Sequence, residues 1–144
     1  ETFIAKYLEI YPEIKKYMVD IVEFAKDNGY IETIMKRRRY IPEIHSKVYA
    51  LREFGKRTSL NAPIQGSAAD IIKVAMIKLS NYLEENNKKS KLILQVHDEL
   101  ILDCTADELE EMKLIVPKIM QESFPLSVEL KTSCDIGKTW YDLK

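Results

Sequence analysis

Cys104 and Cys134 are the only thiols in this 144-residue chain. Two cysteines are too few for a disulfide framework or a four-thiolate zinc site. They fit free thiols in a reducing compartment. Four glycines and five prolines exclude a collagenous or low-complexity chain. No apolar run approaches the roughly 20 residues of a membrane-spanning helix. The opening residues Glu1-Thr2-Phe3-Ile4 carry no basic stretch leading into a long apolar one, so no signal peptide is legible. Position 1 is also not Met, which points to a piece of a longer chain. The expected setting is the cytoplasm, with no membrane partner. An excess of one charge sign is missing too. The chain has 22 Lys and Arg against 23 Asp and Glu, a net charge of −1, which excludes a histone-like basic protein. What remains is the composition of an ordinary soluble domain, 46% hydrophobic and 31% charged.

The charges are balanced in number but not in place. Lys36 to Arg57 holds eight basic residues against two acids, a net +6. Asp98 to Glu129 holds nine acids against two lysines, a net −7. Clustered Lys and Arg can track a phosphate backbone, and convergent acids can hold a divalent cation. On composition alone, two solvated faces are the commoner explanation.

Apolar spacing and turn residues predict an α+β chain. Residues 3–10 read as helix. Pro12 suits a first helical position, and Ile14, Tyr17, Met18, Ile21, Val22 and Ala25 follow at steps of three and four. Asn28-Gly29 ends that helix. Tyr30–Ile34 and Tyr40-Ile41 read as two short extended arms with a basic tip between them. Residues 47–60 read as helix. Asn61, just before Pro63, reads as the N-cap of the next one. That next helix carries the stripe Ile64, Ala68, Ile71, Ile72, Ala75, Leu79, Tyr82 and Leu83. A polar loop, 86–90, leads to Leu92–Val96 and Leu100–Leu102, a tight hairpin around His97-Asp98-Glu99. Residues 106–123 form an amphipathic helix interrupted by Pro117. Val128, Leu130 and Thr132 alternate as a last strand. This order suggests helices packed with an antiparallel sheet.

Three groups of residues could carry chemistry. Gln95-Val96-His97-Asp98-Glu99-Leu100 puts two acids where a buried hairpin reverses, so they project from a rigid support. Mg²⁺ takes oxygen ligands in a narrow geometry and suits such a place. An ordinary surface turn, in which Asp is common for conformational reasons, is the alternative, and the more frequent one. Arg57, Asn61 and Gln65 stand at steps of four beside Gly66, Ser67, Ala68 and Ala69. If the helices run nearly end to end, these donors share one face. They could reach minor-groove acceptors, which look nearly alike in all base pairs. Capping by Asn61 and helix packing by the small residues account for the same pattern. Arg37-Arg38-Arg39 could contact phosphate or simply form a solvated turn.

The segment Asn61-Ala62-Pro63-Ile64-Gln65-Gly66-Ser67-Ala68-Ala69-Asp70-Ile71-Ile72-Lys73, with Leu94-Gln95-Val96-His97-Asp98-Glu99-Leu100 following it, resembles the family A DNA polymerases of the bacterial polymerase I type. The likeness extends upstream to Tyr11-Pro12, Gly29-Tyr30 and Arg37-Arg38-Arg39-Tyr40-Ile41-Pro42-Glu43-Ile44. Downstream it takes in Pro125-Leu126-Ser127-Val128, Ile136-Gly137 and Trp140-Tyr141-Asp142, so it covers essentially all residues. It implies that residues 1–60 are the C-terminal part of a fingers subdomain and 61–144 the C-terminal part of a palm. It implies that Asp98 is a catalytic metal-binding aspartate, with Glu99 the adjacent acid supporting the same site. His97 would lie near the primer terminus. Arg57, Asn61 and Gln65 would line the template and primer minor groove, and Arg39 would stand close to the DNA. The implied reaction is template-directed DNA synthesis from primer-template DNA and a dNTP, with two Mg²⁺ ions, at the bacterial nucleoid.

Lys56 stands where the family usually has an acid, and Lys36 where a glycine often precedes the arginines. Nothing in the chain matches the family's other catalytic aspartate, within an Asp-Tyr-Ser-like motif, or the fingers helix whose Arg, Lys and Tyr bind the triphosphate. The resemblance therefore implies a part that needs the remainder of its polymerase chain and is inactive alone. The alternative from another class is a non-catalytic DNA-binding module derived from the same fold.

Overall fold

The computed structural model describes residues 2–143 and divides into two compact units, residues 1–68 and 69–144.

In the first unit, helix α1 (Thr2–Ile10) is followed by α2 (Pro12–Asn28). Pro12 sits at the start of α2, where its missing N–H costs nothing. Gly29 ends α2 in the left-handed region at φ 74°, and its N–H bonds the Ala25 carbonyl at 2.9 Å. The two extended arms are strands β1 (Tyr30–Glu32) and β2 (Arg38–Tyr40), antiparallel, with Ile31 opposite Arg39. The tip differs in one respect from the expected basic turn. Arg38 and Arg39 belong to β2, and only Lys36 and Arg37 stand in the turn. Lys36 adopts φ 64°, a left-handed conformation that suits glycine. A 3-10 turn, Pro42–His45, leads toward α3. Ala25, Ile31, Ile41, Ile44 and Ala62 form this unit's buried cluster.

Helix α3 runs unbroken from Tyr49 to Glu85, with Pro63 inside it. This corrects the expected break: Asn61 is a helix-interior residue, not an N-cap. Proline removes one hydrogen bond and crowds the preceding turn, at about 3 kcal/mol. Burial of the turn leading into it, with Ser59 fully buried and Ala62 and Pro63 buried, holds the helix together across that fault.

In the second unit, β3 (Lys91–Val96) and β4 (Glu99–Asp103) form the expected antiparallel hairpin, with Val96 opposite Glu99. Helix α4 (Leu109–Gln121) continues past Pro117. Leu79, Leu83 and Met112 make the buried cluster, joined by Tyr82, Leu92, Leu100, Leu102, Val116 and Ile119. The alternation Val128, Leu130, Thr132 does not become a strand. Alternation sets which face a strand shows, but a strand also needs a ladder partner, and neither hairpin edge pairs with this segment among the described residues.

Candidate nucleic-acid interface and carboxylate turn

Helix α3 presents Phe54, Arg57, Thr58, Asn61, Ala62 and Gln65 at steps of three and four, a single stripe. Together with Arg39 they line an open depression of about 260 Å³ within the first unit. Strand alternation explains how Arg39 reaches it. Tyr30, Glu32, Arg38 and Tyr40 share one face of the hairpin, where Arg38 pairs with Glu32 at 3.1 Å and lies 4.4 Å from the Tyr30 ring centre. Ile31 and Arg39 take the other face.

The structure thus brings Arg39, Arg57, Asn61 and Gln65 together in one depression. Phe54 and Thr58 belong to the same depression but escape a reading by steps of four alone. A helical stripe carried without a break through Pro63 contains them.

Much of the basic band is already engaged. Lys56 pairs with Glu53 at 2.6 Å and Lys36 with Glu32 at 3.5 Å. Arg52 donates to the Ser46 carbonyl at 3.1 Å, and Arg37 to the Gly66 carbonyl at 3.1 Å. The two lysines that depart from the family pattern therefore each stand beside an acid, Glu32 being shared with Arg38.

The acidic half is engaged in the same way. Lys88 pairs with Glu111 at 2.6 Å, Lys89 with Asp107 at 3.1 Å and Lys113 with Glu110 at 3.1 Å. The Glu108 carboxylate accepts three hydrogen bonds. They come from Ser90 N–H at 2.8 Å, Ser90 Oγ–H at 2.6 Å and Lys89 N–H at 3.0 Å. These donors favour the charged form and hold its pKa down at about 2. Glu108 ties the start of β3 to the head of α4, so it is a structural acid.

His97, Asp98 and Glu99 lie exposed at the β3–β4 reversal, in the second unit. His97 takes a left-handed φ of 53°, and Gln95 Nε2 donates to its carbonyl at 2.5 Å. The glutamine pins the turn from the strand behind it. Leu92, Leu100 and Leu102 pack the hairpin onto the second unit's buried cluster, so the two carboxylates stand on an anchored support. Their oxygens suit a hard cation. No three His, Cys, Asp or Glu side chains converge as metal ligands among the described residues. Asp98 and Glu99 are by themselves too few donors to enclose such a cation.

The model of DNA polymerase family A matches residues 1–142. The chain belongs to that family. It is 51% identical over all 144 residues to DNA polymerase I of Lactococcus lactis subsp. cremoris, strain MG1363, and covers 16% of that protein. It is 49% identical over 142 residues to DNA polymerase I of Geobacillus stearothermophilus, again covering 16% of the relative. The chain therefore spans about a sixth of the length of these curated relatives. Its fold matches the POL domain of Pol1 from M. smegmatis, solved with DNA primer-template and dNTP. The TM-score is 0.93 at 39% identity, over 97% of this chain and 25% of that one.

Proposed function

We propose that this chain is the C-terminal fingers and palm part of a DNA polymerase that performs template-directed nucleotidyl transfer from a dNTP to a primer 3′-hydroxyl. Residues 1–60 serve as fingers and 61–144 as palm. The observation that carries the reading is the convergence of Arg39, Arg57, Asn61 and Gln65 in one open depression, in a chain of family A.

Guanidinium and amide donors on one rigid helix face meet acceptors that every base pair offers in the minor groove. Such a face checks duplex geometry without reading sequence. The Phe54 ring adds an apolar surface beside these donors. Asp98 and Glu99, on the pinned hairpin turn, would contribute oxygen ligands to Mg²⁺, and His97 would stand near the primer terminus. Two Mg²⁺ ions, when bound, supply activation of the 3′-hydroxyl and stabilisation of the departing pyrophosphate. Both carboxylates need partners from the remainder of the polymerase chain, which also supplies the triphosphate clamp.

Asp98→Asn in the intact polymerase tests this. Losing one anionic ligand removes about 3–5 kcal/mol of transition-state stabilisation, a rate loss on the order of 10²- to 10³·⁵-fold, with DNA binding largely spared. Near-normal single-turnover incorporation at saturating Mg²⁺ contradicts the assignment. Loss of DNA binding without loss of chemistry favours the non-catalytic module instead.

A further inference from the structure

The turn of the β1–β2 hairpin is seated on α3, entirely within the first unit. Ile34 N–H donates to Ser67 Oγ at 2.8 Å, and that hydroxyl donates to the Pro63 carbonyl at 2.5 Å. Arg37 Nη2 donates to the Gly66 carbonyl at 3.1 Å. The turn is closed on itself by Thr33 N–H to the Arg37 carbonyl at 3.0 Å, Lys36 N–H to the Thr33 carbonyl at 2.9 Å, and Arg37 N–H to Thr33 Oγ1 at 3.2 Å. Thr33 is buried. A Cβ at position 66 would lie 2.7 Å from Thr33 Cγ2, so the turn seats this closely on a glycine and a larger residue would push against Thr33.

This contact sits one turn past Pro63. Pro63 has no N–H to donate, so the Ser59 carbonyl, one turn earlier, lacks its usual helical donor. Asn61 and Gln65 flank Pro63, and Ser67 Oγ links the seated turn to the Pro63 carbonyl beside that fault.

We propose that the β1–β2 turn is a positioning device for the groove face. Thr33 and Arg37, clamped on Gly66 and Ser67, hold the Pro63-interrupted turn of α3 so that Asn61 and Gln65 present their amides in register to the duplex. The inference rests on the reading of that face as a DNA contact. Thr33, Arg37, Gly66 and Ser67 are positioning residues in it.

Gly66→Ala in the intact polymerase drives the new methyl into Thr33 Cγ2. Incorporation efficiency per folded molecule, normalised by active-site titration, falls roughly 10- to 100-fold, the scale expected of a ~1 Å misplacement. Adding Thr33→Ser removes Cγ2 but keeps Oγ1 for Arg37, and restores most of the loss. Ser67→Ala, which deletes the acceptor for Ile34 and introduces no clash, gives a smaller loss in the same direction, and Ser67→Thr recovers it. Wild-type primer-template affinity and incorporation per folded molecule in Ser67→Ala overturn the proposal. So does a Gly66→Ala defect that Thr33→Ser leaves untouched. Gln65→Ala, measured alongside, separates the two levels. If Gln65→Ala engages primer-template normally, the DNA reading of the face fails. If Gln65→Ala is impaired while Gly66→Ala and Ser67→Ala are not, only the clamp fails.

Discussion

Gln65 is exposed on the same stripe as Arg57 and Asn61, and its expected role sets the form of its defect. Minor-groove acceptors are nearly degenerate, so Gln65→Ala should weaken primer-template engagement alike at every base pair. Titration against a set of duplex sequences checks this, and a defect confined to G·C or to A·T steps contradicts it. Glu108 gives a prediction of a different kind. Its folded pKa, about 2, lies below the ordinary 4.5. The stabilisation is therefore fully present above about pH 4.5 and is lost as pH falls through about 2. The melting-temperature gap between wild type and Glu108→Gln should close across that window. A gap constant from pH 6 to pH 2 sinks the account. Individual residues were legible in the sequence where a step of four placed them, as with Arg57, Asn61 and Gln65. Glu108 was not, because its partners, Lys89 and Ser90, lie across a hairpin that only folding closes.

At the scale of the element, α3 shows how packing overrides local signals. Asn61 and Pro63 are good N-terminal residues, yet the helix runs through both. Gly55 is part of the reason it can. A Cβ there would lie 2.8 Å from the Ile44 backbone nitrogen and 3.0 Å from the Glu43 carbonyl carbon, so the 3-10 turn rests directly on the helix backbone. Gly55→Ala should destabilise the protein by about 1–3 kcal/mol, since backbone cannot yield as a side chain does. Urea denaturation measures this, and an unchanged midpoint shows that the turn can shift freely. The hairpins were legible because short β-rich runs bracket turn residues. The strand expected at Val128–Thr132 failed for want of a neighbour to pair with.

At the scale of the whole molecule, the chain presents unpartnered apolar surface: Phe3, Ile77, Ile93, Leu114 and Val128 are all more than half exposed. Its second sheet has only two strands, so both edges are open. The isolated chain should associate in solution, and size-exclusion chromatography reads this directly. It should also fail to extend a primer if, as proposed, Asp98 and Glu99 supply only part of a two-metal donor set. Residual DNA binding through Arg39 and Arg57 should fall steeply with salt as counterion release is lost. Template-directed extension by a clean monomer of this chain would show that the division of the active site is wrong.

The sequence by itself determined the family, through two long motifs in order. It also determined the α+β class, since helical stripes and turn-bracketed apolar runs depend on local periodicity alone. The tertiary structure decided three things that no local pattern contains. Ser59, Ala62 and Pro63 carry α3 across its fault by burial. Strand alternation in β2 sends Arg38 to Glu32 and Arg39 to the depression on α3. Lys88 and Lys89, ahead of β3, reach Glu111 and Asp107 of the acidic stretch beyond β4, and Ser90 reaches Glu108 in the same way. Each of these depends on contacts between distant residues, which periodicity does not encode.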